Sequence, residues 1–317
     1  MVLVKRVLFI ILSVFLFFVV IPVDALSTSS KNIVLYNLDT NEKVFGYKDT
    51  EKVSIASLTK IMTAIVALEN IDDLNKEVTI TSDMLKGLKE KDAYVVGLKV
   101  GQKVSYIDLI YACVISSGAD ATNAIAMSIS GGLERFVSLM NDKAKELGLS
   151  NTSFSNPIGF DDSNNYSSVD EVSKILIYAL KNETFKTIFT TDSHEFKDKS
   201  LTVKSSMRES AKHANIDTSM ILGAKTGYEN NAGRCLASIA YDKKNDINYL
   251  LVTTGADDDY NKMYNIKDAY ELYTYFFNNY SYHTLVEKNS EIIKISTRYL
   301  KDDFISFKAN EEIKLLY

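Results

Sequence analysis

Strand-like runs stand towards both ends of this chain, with buried-type helices between them, and that arrangement limits the folds available. Ile33 to Asn37 and Lys43 to Tyr47 flank the turn-forming Asp39-Thr40-Asn41. Cys235 to Tyr241 and Ile247 to Thr254 flank Asp242-Lys243-Lys244-Asn245-Asp246. Each set is a hairpin signal. Between them, Ser57 to Glu69 is apolar nearly all round, the mark of a buried helix. Val78 to Thr81 is a further β-like run. Ser105 with Asp108 opens a helix over Tyr106 to Ile115, and Ser168 with Glu171 opens another. Leu133 to Leu147 keeps helical spacing and stops at Gly148. Met263 to Phe277 reads as a Tyr-rich amphipathic helix. Hairpins pair antiparallel neighbours. The expected class is therefore α/β of the α+β kind: an antiparallel sheet with helices on its faces and a helical cluster inserted between its strands. Glu291 to Thr297 and Phe304 to Phe307 predict a short β appendage at the end, too small for a good core of its own.

Lys5 and Arg6 precede an apolar run from Val7 to Ile21, followed by Pro22-Val23-Asp24-Ala25 and a polar stretch from Ser27. This pattern predicts a secretory leader over residues 1–25, cleaved after Ala25; an uncleaved anchor is the other reading, and the run is short for a full span. Either reading puts the rest of the chain outside the cytoplasm, secreted or held near the membrane. The expected division is a main domain over 26–282 and a short β-rich end over 283–317. A net charge of −5 argues against a nucleic-acid partner. Cys113 and Cys235 sit in apolar surroundings and read as buried thiols rather than a disulfide. His194, His213 and His283 have no metal-ligand spacing, which argues against zinc and against a histidine-based serine triad.

Ser57-Leu58-Thr59-Lys60 carries the first chemistry. Residues three apart on a helix share a face. A desolvated lysine there can take the serine proton. Ser57 is the one serine in the chain with a lysine three places on, and an ordinary N-cap serine beside a surface lysine is the plainer alternative. Lys225-Thr226-Gly227 precedes a β-like segment; lysine and threonine can bind a carboxylate, and glycine lets a substrate backbone come close. A strand-edge turn is the plainer alternative here. Ser116-Ser117-Gly118-Ala119-Asp120 ends an apolar helix, and on its own reads as a small polar loop.

Their order, Ser-x-x-Lys, then a serine loop, then Lys-Thr-Gly, resembles the low-molecular-weight penicillin-binding proteins, the serine-type D-alanyl-D-alanine carboxypeptidases of peptidase family S11. The likeness runs from about Ile33 to Phe277. It rests on Ala56 to Ala64, Ser117 to Ala121, Asn156-Pro157-Ile158-Gly159-Phe160, Gly223 to Gly227 and Ala232-Gly233-Arg234-Cys235-Leu236. The resemblance implies a β-lactamase/transpeptidase-like fold and no metal or organic cofactor. It implies peptidoglycan stem peptides ending in D-Ala-D-Ala as substrates and β-lactams as covalent inhibitors. It also implies roles: Ser57 as nucleophile, Lys60 as general base and Ser117 as proton relay. Lys225 and Thr226 would hold the terminal carboxylate beside Gly227, and the backbone N–H groups of Ser57 and Tyr228 would form the oxyanion hole. The family's usual third residue in the serine loop is asparagine, where this chain has Ala119; Asp120 or Asn123 could take over its contact. Ala119 supports a second reading, a non-catalytic binder of stem peptides. A β-lactamase is a third, weakened because the Asn156 to Ser168 loop contains no glutamate. An esterase would leave Lys-Thr-Gly unexplained.

Overall fold

The computed structural model describes residues 27–296, 304–310 and 312–316. The leader reading, Val7 to Ile21 with cleavage after Ala25, lies outside the described residues. Contacts divide the chain into a large unit, Thr28–Thr274, and a smaller one that contains Tyr275–Tyr317.

The strands of the large unit are β1 Asn32–Asn37, β2 Glu42–Tyr47, β3 Glu77–Thr79, β4 Lys103–Ser105, β5 Ser193–Glu195, β6 Thr202–Lys204, β7 Ile221–Glu229, β8 Gly233–Asp242 and β9 Ile247–Ala256. Five of them form the main sheet in the order β2-β1-β9-β8-β7, every pair antiparallel. Both hairpins expected from the sequence are present. They join through β1 and β9, with Val34 opposite Val252. The antiparallel sheet with an inserted helical cluster is thus the observed architecture.

Successive side chains of a strand point to opposite faces. On β8, Cys235, Ala237 and Ile239 belong to the main core, together with Val34 and Tyr36 of β1 and Leu250 and Val252 of β9. The helix Thr59–Asn70 packs into this core, with Thr59 through Ala67 all buried. The opposite face meets the helix Tyr264–Asn279. There Asn265 Nδ2 donates to the Cys235 carbonyl at 2.9 Å, and Tyr273 Oη donates to that of Ser238 at 3.1 Å. Cys113 and Cys235 are buried free thiols.

Most helices fall where periodicity put them: Tyr106–Val114, Leu133–Glu146 and Val169–Ala179. The caps act as expected, Ser105 accepting from the Asp108 N–H and Ser168 from that of Glu171. Three differences matter for the site. The Ser57 helix starts at Thr59, and Ser57 lies in a tight 3₁₀ turn, Ala56–Leu58, just ahead of it. The serine loop opens directly into a helix, Ala119–Ser130. Its Thr122, Ser128 and Ser130 weaken the periodic signal, but in place they bond back to the carbonyls of Gly118, Ala124 and Ala126. Finally, Lys225-Thr226-Gly227 lies inside a strand, β7, where two glycines break up the alternation by which strands are recognised.

In the smaller unit, β10 Tyr282–Val286 pairs with β13 Ile313–Leu316, and β11 Glu291–Ser296 with β12 Phe304–Lys308. The last pair answers to the two strands expected there. Among the described residues no helix is long and apolar enough to cross a membrane.

Candidate active site

Ala56 has a φ of 46°, a conformation that costs a non-glycine residue energy and is kept where surrounding structure demands it. It turns the chain so that Ser57 stands at the start of the buried helix. Ser57 Oγ lies 2.7 Å from Lys60 Nζ, and Lys60 donates to the Ile158 carbonyl at 2.7 Å. Lys60 is 1% exposed. Burial pushes its ammonium down to about 8, against a weaker opposing pull from the Glu229 carboxylate. A neutral lysine has two N–H groups and one lone pair. With one N–H on Ile158, the lone pair is free to face the serine hydroxyl.

The Ile158 carbonyl is held in place by its own loop. Asn156 Oδ1 accepts from the backbone N–H groups of Ile158, Gly159 and Phe160 at 3.2, 2.7 and 3.0 Å. Thr63 Oγ1 donates to the Pro157 carbonyl at 2.7 Å, tying the loop to the Ser57 helix. Gly159 has a φ of +98°, and a Cβ there would stand 2.0 Å from the Ala56 carbonyl oxygen. The loop therefore rests directly on the backbone that carries Ser57.

β7 forms the facing wall. A Cβ on Gly227 would meet Ser57 N at 3.0 Å and Ala56 Cβ at 3.1 Å. The close approach that this glycine permits is to the Ser57 turn, whereas the sequence suggested an approach to substrate. Thr226 and Ser206 share a 2.7 Å hydrogen bond, and both line the cavity. Lys225 is fully buried and donates to the Thr226 carbonyl at 2.7 Å. Burial, followed by the charge of Lys60, drives its ammonium well below the ordinary lysine range. Lys225 is not among the residues that line the cavity. The cation that faces the cavity from β8 is Arg234, which pairs with Asp258 at 2.6 Å beneath the rings of Tyr228 and Tyr260.

Ser117, at a φ of 67°, completes the floor. Ala119, beside it, packs with Leu88 and Ile158 in a small apolar cluster. Neither suggested substitute for the missing asparagine faces the cavity. Asp120 is buried and accepts from the backbone N–H groups of Val96, Gly97 and Leu98, each at 3.0 Å. Asn123 Nδ2 donates to the Met84 carbonyl at 3.1 Å. Asp120 instead pins the Tyr94 to Leu98 segment, part of which lines the cavity. Asp120→Ala is expected to cost roughly 3–5 kcal/mol in denaturant unfolding, because it leaves those N–H groups unpaired. A loss below about 1 kcal/mol would show that the segment holds itself.

Together these walls enclose about 660 Å³ above Ser57 and Lys60. His194 pairs with Asp108 at 2.7 Å, and His213 lies against Tyr260; neither lines the cavity. The arrangement can activate a serine through a lysine and bind an anionic, extended ligand along β7.

The D-alanyl-D-alanine carboxypeptidase model of peptidase S11 matches residues 20–258. The chain belongs to this family. It is 29% identical over 295 residues to D-alanyl-D-alanine carboxypeptidase DacF of Bacillus subtilis, covering 92% of this chain and 73% of that protein. It is 34% identical over 205 residues to a D-alanyl-D-alanine carboxypeptidase of Streptomyces, covering 61% and 69%. Among solved structures, it is similar to penicillin-binding protein 5 of Haemophilus influenzae, with a TM-score of 0.71, 25% identity and coverage of 92% and 83%. It is also similar to the Streptomyces K15 DD-transpeptidase, with a TM-score of 0.69, 26% identity and coverage of 78% and 97%.

For this carboxypeptidase family member, sequence reasoning overlooked Ser206, Arg234 and Glu229 as cavity residues. Ser206 follows Ser205, whose side chain caps the helix Ser206–Ala214, and a cap signal there could have drawn attention to it. Arg234 and Glu229 carry no local signal; only the β7–β8 pairing brings them to the cavity.

Proposed function

We propose that this enzyme removes the terminal D-alanine from peptidoglycan stem peptides through an acyl-enzyme on Ser57. Lys60 takes the Ser57 proton as Oγ attacks the carbonyl between the two D-alanines. The developing oxyanion is held by the N–H groups of Ser57 and Tyr228. Ser117 passes a proton to the departing amine. The terminal carboxylate meets the Thr226 hydroxyl and the Arg234 guanidinium, while Lys225 and Gly227 hold the wall close to the serine. Water then releases the shortened peptide. β-Lactams acylate the same serine. One observation carries this reading: the 2.7 Å contact between Ser57 Oγ and a buried lysine of lowered proton affinity.

Export by the leader over 1–25 and a catalytic domain over 26–282 followed by the β-rich 283–317 belong to the same proposal; the leader-type sequence supports the first. The test is labelling of the purified protein by a fluorescent penicillin, beside Ser57→Ala. Label that is covalent in the unaltered chain and absent from the variant is the expected result. A folded protein that takes no label would sink the reading and favour a stem-peptide binder, for which Ala119 in its apolar cluster is the supporting feature.

A further inference from the structure

We infer that Glu229 is the general base that activates the water for release of the acyl group, an inference that rests on the acyl-enzyme reading above. An ester on Ser57 persists until something takes a proton from an attacking water. Among the described residues, three carboxylates line the cavity: Asp92, Glu209 and Glu229. Asp92 and Glu209 are exposed, and Glu229 is half-buried.

Strand alternation aims Glu229 at the reacting centre. Residues two apart on a strand share a face. Lys225, Gly227 and Glu229 therefore point the same way, and Gly227 on that face abuts Ser57 N. Glu229 stands two residues further along, roughly 7 Å by strand rise. A glutamate side chain and one water can cover such a span. The loop that carries Ile158 also comes near Glu229, whose carboxylate feels the charge of Asp161. Asp161 itself is fixed by Ser54 Oγ at 2.7 Å and by the Asn231 N–H at 2.8 Å. One loop thus holds Lys60 on one side and stands near Glu229 on the other.

The charges around Glu229 suit a base. Burial and the neighbouring Asp161 carboxylate raise its proton affinity; Lys60 and Lys91 oppose that rise. In the step, a water oxygen bonds to the acyl carbon while Glu229 takes one of its protons. The bond from that carbon to Ser57 Oγ then breaks, and Oγ takes up, by way of Lys60, the proton that Glu229 received from the water, so the product leaves as a carboxylic acid and Glu229 returns to its carboxylate.

The experiment uses the full chain and Glu229→Gln, which keeps the size and an acceptor oxygen but cannot serve as a base. Each protein is pulsed with fluorescent penicillin and chased with excess unlabelled penicillin. The expected result is label decay slowed by ~100-fold, with label formation changed far less. Decay in the unaltered chain should rise with pH along a limb that the variant lacks, and Glu229→Asp should recover part of the rate. Decay unchanged in Glu229→Gln would overturn the inference. Formation and decay slowed alike would also overturn it, making Glu229 a support for Lys60. No label in the unaltered chain would defeat the Ser57 reading itself, and this inference with it.

Discussion

Lys60→Met is expected to abolish penicillin acylation while making the protein more stable at neutral pH. The two effects share one cause. Lys60 titrates at about 8 when folded, below the ordinary lysine value of 10.5. Between those values the unfolded chain binds more protons than the folded one, so stability rises with pH through that window. Below pH 8 the folded state bears the full cost of a buried ammonium, about 3 kcal/mol for a shift of this size. Methionine fills similar space without that charge, and its removal also relieves the repulsion on Lys225. Acylation, deprived of the proposed base, should fall by about 10²-fold or more, on the order of general-base losses. In the unaltered enzyme the acylation rate should climb with pH through about 8, as Lys60 loses its proton. Thermal melts and labelling rates at pH 7 check both halves. A Lys60→Met protein that is less stable and still acylates would mean that the lysine serves the fold and not the chemistry.

Gly159→Ala is the second large effect. The added Cβ would lie 2.0 Å from the Ala56 carbonyl oxygen, and the residue would hold a φ of +98°. Backbone on both sides of the clash leaves no flexible side chain to yield. Either the loop withdraws and takes the Ile158 carbonyl from Lys60, or the Ser57 turn moves. A stability loss of about 3 kcal/mol or more is expected, with acylation down at least ~100-fold. Gly87→Ala is the internal control: its φ is +76°, but a Cβ there meets nothing within 4 Å. That change should cost only about 1–2 kcal/mol and leave labelling intact. Equal losses for the two would reduce the Gly159 argument to backbone conformation alone.

What the sequence made legible was local. The β1–β2 and β8–β9 hairpins, the Ser105 and Ser168 caps and the Ser57–Lys60 pairing each depend on residues a few places apart, and each stands as expected. The family segments Asn156 to Phe160 and Ala232 to Leu236 could be matched, but their reasons could not be seen. Asn156 matters because one oxygen gathers three N–H groups, and Gly159 because it rests on Ala56. Asp120 drew attention as a substitute for the missing asparagine, yet its partners Val96, Gly97 and Leu98 lie more than twenty residues earlier. Lys225 looks like a ligand-binding cation in sequence. Only the tertiary fold buries it and turns Arg234 to the cavity. Functional geometry made by long-range pairing leaves no periodic trace.

The pairing of β1 with β9 joins Asn32 and Thr254, 222 positions apart. Closing a loop of that length is slow, and contacts so remote in sequence come late in folding. Until they form, the apolar helix after Ser57 has no sheet to cover it, which makes the nascent chain a substrate for chaperones and proteases. Activity and protease resistance should therefore appear together during refolding. A chain cut before Ile221 would carry Ser57, Lys60 and Ser117 but lack the strand against which the serine turn packs.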